Sequence, residues 1–258
     1  MLLANRVAII TGGAKGIGKG IALKFAEEGC SVVIADIDEK AGILTVTDVI
    51  KKGIRGEFFN CDTTDENQVQ KMTDRVIQKF GKIDILVNNA GGFGPPIPIQ
   101  KLSVAEWDRS VNLNMKGVFL CSKAVAPHMI EKGYGKIINI SSISAIAAGP
   151  PAIHYAGPKG GVVSMTLDLA LELARFGICV NAILPGSIRT DMWKPQLPPG
   201  VSADDFFRDL GKPVPLQRVG KPEDVAGAAL FYASNLSDYV TGDRILVAGG
   251  LPLTSPGF

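Results

Sequence analysis

Three residue types in one short stretch suggest proton chemistry on an oxygen. Tyr155 is followed four residues later by Lys159, in Tyr155-Ala156-Gly157-Pro158-Lys159. On a helix, residues i and i+4 share a face. A free phenol titrates near pH 10, at about 10, and an adjacent ammonium favours the phenolate. The pair therefore predicts an acid/base that works near neutral pH. Tyr-x-x-x-Lys also arises by chance, so it needs company. Thirteen residues before Tyr155 stands Ser142, in Asn139-Ile140-Ser141-Ser142. Its hydroxyl is suited to hold a substrate oxygen beside the phenol.

A second group of residues suits a pyrophosphate. Thr11-Gly12-Gly13-Ala14-Lys15-Gly16-Ile17-Gly18 follows an apolar run and opens a helical pattern. Glycines there permit a tight turn and a close approach to phosphate at a helix N-terminus. The spacing is Gly-x-x-x-Gly-x-Gly, which differs from the common Gly-x-Gly-x-x-Gly fingerprint. Twenty residues past Gly16 comes Asp36, followed by Ile37. An acid at that distance accepts both ribose hydroxyls of an adenosine and repels a 2′-phosphate. Asp36 and the non-basic Ile37 favour NAD over NADP. Lys15 points the other way, because a cation beside the loop suits a 2′-phosphate.

These groups need elements to position them. Arg6–Ile10, Ser31–Ala35, Ile83–Val87, Lys136–Ile140, Ile178–Leu184 and Arg244–Val247 are strand-length apolar runs, as expected of strands buried on both faces of a parallel sheet. Ile17, Ile21 and Phe25, and then Val69, Met72, Val76 and Phe80, recur at helical spacing. Strand–helix alternation predicts right-handed βαβ units and an α/β, Rossmann-like, doubly wound parallel sheet. Ser142 and Asn88-Asn89-Ala90-Gly91 both follow strands, where such sheets place their ligands. Pro158 predicts that the Tyr155 segment is the first turn of a helix. No linker splits the chain, so 1–258 reads as a single domain. The proline-rich stretch 192–218 is too long for an ordinary connector and reads as a substrate loop or lid.

On these motifs the sequence resembles the short-chain dehydrogenase/reductase family, over about residues 5 to 250, in its subgroup of about 250 residues. The shared features are the Thr11–Gly18 loop, Asp62 after the third strand, Asn88–Gly91, Asn114, Ser142, Tyr155/Lys159 and Pro185-Gly186. The resemblance implies a catalytic tetrad of Asn114, Ser142, Tyr155 and Lys159. Asn114 is preferred to Asn112 because the family's Asn lies seven residues after a Trp, here Trp107; Asn112 remains the alternative. Tyr155 would act as general acid/base and Lys159 would lower its pKa and hold the nicotinamide ribose. Ser142 would orient the carbonyl or hydroxyl, and Asn114 would support a relay water. The implied reaction is hydride transfer to or from the nicotinamide of NAD, with NADP the less expected cofactor. The cofactor contacts implied are Gly12, Gly16, Ile17, Gly18, Asp36 and Ile37 at the loop and second strand. Asp62 and Thr63 would meet the adenine, and Asn89, Ala90 and Gly91 the adenosine ribose. Pro185, Gly186, Ile188 and Thr190 would hold the nicotinamide amide and the phosphates, with Tyr155 and Lys159 completing the set. The family's usual state implies a homotetramer. Two departures stand out: Gly157-Pro158 precedes Lys159 where relatives often carry a small residue and Ser, and Ala248 replaces a frequent Asp.

Composition narrows what remains. A net charge of +2 is too small for an extended phosphate-binding surface, so nucleic acid is not an expected partner. No basic and apolar leader or membrane-length apolar run is legible, so no membrane partner and a cytoplasmic location are expected. Cys30, Cys61, Cys121 and Cys179 lack metal or redox spacing and read as small buried hydrophobes; no metal is expected. Glycine is over-represented, with 30 of 258 residues. Beyond the loop positions, Gly29, Gly53, Gly81 and Gly177 precede strands and read as helix C-caps. Specificity should lie in Gly92–Ile99, Ser144–His154 and 192–218, whose side chains are mostly apolar: Phe93, Pro95, Ile97, Ile146, Ile153, Met192, Trp193, Leu197, Phe206 and Phe207. His154 adjoins Tyr155 and either touches substrate or serves structure. Arg189 and Lys194 are isolated and read as solvated. The expected partner is a small-molecule substrate, a neutral, fairly apolar secondary alcohol or ketone, cyclic ones included. A 3-oxoacyl thioester is the alternative within the same chemistry. A dinucleotide-binding regulator without turnover is the alternative outside it.

Overall fold

The computed structural model describes residues 1–149 and 152–252. Seven parallel strands form one sheet in the order β3-β2-β1-β4-β5-β6-β7. They are β1 (Val7–Thr11), β2 (Ser31–Asp36), β3 (Gly56–Asn60), β4 (Ile85–Asn88), β5 (Gly135–Ile140), β6 (Ile178–Pro185) and β7 (Arg244–Val247). The helices are α1 (Gly16–Glu27), α2 (Glu39–Ile50), α3 (Glu66–Phe80), α4 (Val104–Val111), α5 (Gly117–Lys132), α6 (Ile153–Leu173), α7 (Ala203–Gly211) and α8 (Pro222–Ala233). This is the doubly wound arrangement expected from the sequence.

Alternation along the strands builds two cores. Ala8, Ile10, Val32, Ile34, Ile85 and Val87 face one layer, where Ile21 and Phe25 of α1 meet Val225 and Ala229 of α8. Val7, Ile9, Val33, Ala35 and Leu86 face the other, against Val69, Met72 and Val76 of α3 and Leu120, Val125 and Met129 of α5. Each central strand is therefore mostly apolar on both faces, and its exceptions, such as Lys136, Asn139 and Asn181, are buried with hydrogen-bond partners, which is why it reads as a strand-length apolar run.

β3 was not among the apolar runs. It is an edge strand with a mixed sequence, Gly56-Glu57-Phe58-Phe59-Asn60, and only Phe59 is buried. A strand paired on one side, with a single fully buried side chain, carries too little apolar signal to stand out. Strand ends also moved slightly: β1 runs one residue later than Arg6–Ile10, and β4 starts at Ile85 instead of Ile83.

The glycines expected as C-caps all have positive φ, for example 76° at Gly81 after α3 and 72° at Gly177 before β6. α6 begins at Ile153, so Pro158 lies in its second turn and not its first. That placement leaves the His154 carbonyl without its usual helical N–H partner. Cys30, Cys61 and Cys121 are buried free thiols, as expected, but Cys179 is half-buried and its Sγ accepts from Lys136 Nζ at 3.6 Å. Burial pushes the Cys61 thiol up to about 11. No helix among the described residues is long and apolar enough to cross a membrane.

Candidate active site

The strand order reverses between β1 and β4, since β1 pairs with both β2 and β4. Beyond the carboxyl ends of the strands lies a cavity of about 1100 Å³. Its floor is the glycine loop and the start of α1. Gly12 has φ of 60°, and a Cβ there would lie 2.8 Å from Ala90 Cα. A Cβ on Gly18 would lie 2.3 Å from the Gly12 carbonyl oxygen. Only glycine lets these backbones approach so closely. Asn89 fastens the same junction, donating from Nδ2 to the carbonyls of Thr11 and Gly12, both at 2.9 Å. The Thr11 hydroxyl accepts from the N–H groups of Asn89 and Ala90, each at 3.0 Å.

The N-terminus of α1 is left open. Lys15 at its cap position makes no side-chain capping bond, and no acid lies in its first turn. α2 and α3, in contrast, are capped by Asp38 and Asp65. An uncapped helix start on the floor of a cavity, with glycine backbone around it, fits the pyrophosphate of a dinucleotide. Asp36 is held by the fold: Oδ2 accepts from Ala14 N and Oδ1 from Asp38 N, both at 3.0 Å.

The proton-active residues lie at the far end. Ser142 follows β5 and its Oγ accepts from Ser144 N at 3.1 Å. Tyr155 and Lys159 sit on one face of α6. Lys159 is buried, and its Nζ donates to the Ile140 carbonyl at 2.9 Å. Burial lowers its ammonium to about 8. Burial raises the Tyr155 phenol, and the Ser142 hydroxyl offsets part of that rise. The sequence reading expected Lys159 to lower the phenol. Desolvation dominates instead, and both groups are pushed toward their neutral forms. Phe93 packs edge-on against Tyr155, with ring centroids 4.9 Å apart and an interplanar angle of 86°.

Among the site residues expected from the sequence, Gly12, Gly16, Ile17, Asp36, Ile37, Asp62, Thr63, Asn89, Ala90, Gly91, Ser142, Tyr155, Lys159, Pro185, Gly186, Ile188 and Thr190 all border the cavity. Gly18 and Asn114 do not. Gly18 lies under the loop, where it allows the Gly12 contact. Asn114 is fully buried in a π-helical turn, Asn112–Lys116, between α4 and α5. A π-turn adds a residue to the helix and re-aims side chains, a feature common at functional sites. Here it turns Asn114 inward and leaves Asn112 exposed. Asn114 Nδ2 donates to the carbonyls of Ser110 and Gly92, and its Oδ1 accepts from Gly92 N at 3.1 Å. Gly91 is flanked by Asn114 Oδ1 and Lys159 Nζ, which would stand 2.8 and 3.2 Å from a Cβ there.

Four of the residues expected to set specificity, Phe93, Ile153, Met192 and Trp193, line the cavity. Ile146 is exposed, and Leu197 and Phe207 border a second, smaller cavity. Trp193, Phe206 and Phe207 meet in series, the first pair tilted and the second edge-on, at centroid distances of 6.1 and 5.4 Å. They brace the 192–218 segment, whose Trp193 Nε1 donates to the Ile188 carbonyl. Arg189 and Lys194 form exposed ion pairs with Asp204 and Asp191. Lys221 joins them along the smaller cavity, which sequence distance concealed. His154 is buried and does not reach the large cavity; its ring nitrogens have no hydrogen-bond partner among the described residues. Sequence reasoning missed Asp38, Leu251 and Pro252 on the cavity wall. Asp38 had a signal, an acid just before a helical run; Leu251 and Pro252 had none.

A parallel sheet with this switch point, an open helix start and a serine, tyrosine and lysine on one cavity defines a dinucleotide-binding oxidoreductase fold. A family model described as enoyl-acyl-carrier-protein reductase matches residues 12–252. The chain belongs to the short-chain dehydrogenase/reductase family of oxidoreductases. It is 44% identical to the BbsD subunit of a hydroxy(phenyl)methylsuccinyl-CoA dehydrogenase of Thauera aromatica, covering 98% of this chain and 99% of that one. It is 40% identical to the 3-oxoacyl-acyl-carrier-protein reductase FabG of Thermotoga maritima, covering 97% and 99%. A 7α-hydroxysteroid dehydrogenase solved with NADH and 7-oxo glycochenodeoxycholic acid superposes with a TM-score of 0.90 at 37% identity, covering 96% and 94%.

Proposed function

We propose that this protein is an NAD(H)-dependent oxidoreductase that interconverts a secondary alcohol and a ketone, with residues 1–258 as one catalytic domain. The observation that carries the reading is a single cavity bordered by both the glycine loop and Ser142, Tyr155 and Lys159. Gly12, Gly16, Asp36, Asp62 and Asn89–Gly91 would hold the adenosine and pyrophosphate end of the cofactor, and Pro185, Gly186, Ile188 and Thr190 the nicotinamide end. When bound, the nicotinamide supplies or accepts the hydride. Tyr155 gives a proton to the ketone oxygen, or takes it from the alcohol. Ser142 holds that oxygen against the phenol. Lys159, desolvated and fixed to the Ile140 carbonyl, faces the ring of Tyr155 from 5.7 Å. Asn114 holds Gly92, and through it the wall between Gly91 and Phe93.

The apolar walls at the reacting end, Phe93, Ile153, Met192 and Trp193, favour a neutral, fairly apolar substrate, including cyclic ones, with the 192–218 segment as its lid. The hydroxysteroid dehydrogenase structure supports the same class. A 3-oxoacyl thioester is the second reading, favoured by the thioester names of the two relatives. Exposed Leu167 and Leu171 on the outer face of α6 support assembly as a homotetramer through that helix. The buried free thiols suit a reducing, cytoplasmic setting.

Tyr155→Phe tests the mechanism. Turnover should fall by about 100- to 10,000-fold, with NADH binding retained, and a variant that turned over normally would refute the role of the phenol. Loss of turnover also separates the enzyme from a non-catalytic dinucleotide-binding regulator. A panel of cyclic alcohols, steroids, sugars and 3-oxoacyl thioesters, followed by NADH absorbance, decides the substrate class.

A further inference from the structure

Lys15 and Asp36 give opposite signals about the 2′ position of the adenosine ribose, and the fold resolves them through a residue between them in space. Lys15 Nζ lies 2.5 Å from Asp38 Oδ2. The other oxygen, Asp38 Oδ1, accepts from Ala41 N at 3.0 Å and caps α2. The Asp38 backbone N–H is itself bound by Asp36 Oδ1. The glycine loop is tied to the same helix, because the buried Thr45 hydroxyl donates to the Ala14 carbonyl at 2.8 Å. Asp38 therefore cannot swing away from Lys15 without uncapping α2. Lys15, Asp36, Ile37 and Asp38 all border the adenosine end of the cavity.

We infer that Asp38 is a specificity-determining residue, a fixed counter-charge that withholds Lys15 from a 2′-phosphate and so excludes phosphorylated dinucleotides. The inference rests on the NAD reading above and extends it to a residue outside the glycine loop and the second strand. Asp38 acts in two ways. It occupies the one cation of the glycine loop, and it adds a second negative charge to that of Asp36 where a 2′-phosphate would lie. Asp38 bonds to and attracts Lys15, and Asp191 and Asp36 add weaker attraction. Among the described residues that border the cavity, Lys15 and Lys159 are the only cations, and Lys159 sits at the far end beside Tyr155. The ion pair is solvent-exposed, so its contribution to folding is small. Its effect falls on which anion the site accepts.

The test is direct binding, with ADP and 2′,5′-ADP as probes in isothermal titration at low salt. Four proteins are compared: native, Asp38→Asn, Lys15→Met and the double variant. Asn is as good a helix N-cap as Asp, so α2 keeps its start. Asp38→Asn should tighten 2′,5′-ADP by about tenfold at close charge separation, change ADP less than twofold, and lose the gain in high salt. Lys15→Met in the Asp38→Asn background should remove most of that gain. An unchanged ratio of the two affinities in Asp38→Asn would overturn the inference, and so would a gain of equal size in the double variant. Native protein that binds 2′,5′-ADP more tightly than ADP would instead refute the NAD reading, whatever the variants do.

Discussion

Lys159→Met gives a quantitative test of the site's electrostatics. The native ammonium is held at about 8 by burial, against an unfolded value of about 10.4. A depression of that size corresponds to about 3 kcal/mol of strain on the charged form. The sign follows from proton uptake. Between the two pKa values the unfolded chain binds more protons than the folded one, so folding stability rises with pH across that window. Below pH 8 the full cost is present; toward pH 10 and above it vanishes. Met fills similar volume, has no charge and pays no such cost. Its one loss is the bond to the Ile140 carbonyl, worth about 1 kcal/mol and nearly independent of pH. The stability difference between native protein and Lys159→Met should therefore move by about 2–3 kcal/mol in favour of the native protein from pH 7 to pH 10. Urea unfolding of both proteins at pH 7, 8, 9 and 10 measures it, because effects common to both cancel in the difference. A gap that stays constant across this range would refute the reasoning. Turnover of the variant should be lost throughout, so the residue exchanges stability for function.

Two further perturbations test the framework. Gly18→Ala places a Cβ 2.3 Å from the Gly12 carbonyl oxygen, so the loop and α1 must separate; it should cost about 1–3 kcal/mol in denaturant unfolding and weaken ADP binding, and a variant with native stability and affinity would contradict the close-packed cradle. Asp84 is fully buried; burial alone would raise its carboxyl, but the ion pairs to Lys132 and Lys82 and the Val7 N–H hold it below the usual carboxylate range. Asp84→Asn should cost about 3–5 kcal/mol at neutral pH, with the gap to the native protein shrinking as pH falls through the carboxyl's lowered folded pKa, where the native residue protonates; acid titration of both proteins checks this.

Much of the molecule is legible in its sequence because the informative signals are local. Strands buried on both faces are mostly apolar along their length, so β1, β2, β4, β5 and β6 announce themselves. The glycine loop, the i, i+4 pair Tyr155/Lys159 and the acid at the end of β2 are likewise set by short-range geometry. The edge strand β3 escaped the apolar pattern, and only the family resemblance implied it ahead of Asp62, because exposure at the sheet edge dilutes its signal. The start of α6 was misplaced because Pro158, expected in a first turn, sits in the second.

What the sequence by itself determined is therefore the set of elements and the chemical types gathered at their ends. Tertiary structure decided which of those groups face each other and how charged they are. It set Asn114 behind Gly91 and Gly92 instead of on the cavity wall, brought Asp38 to Lys15 across 23 residues, returned Leu251 and Pro252 to the cavity, and desolvated Tyr155 and Lys159. The physical reason is range: backbone preference and hydrophobic period act within a few residues, while burial and charge pairing depend on every segment that packs around a group.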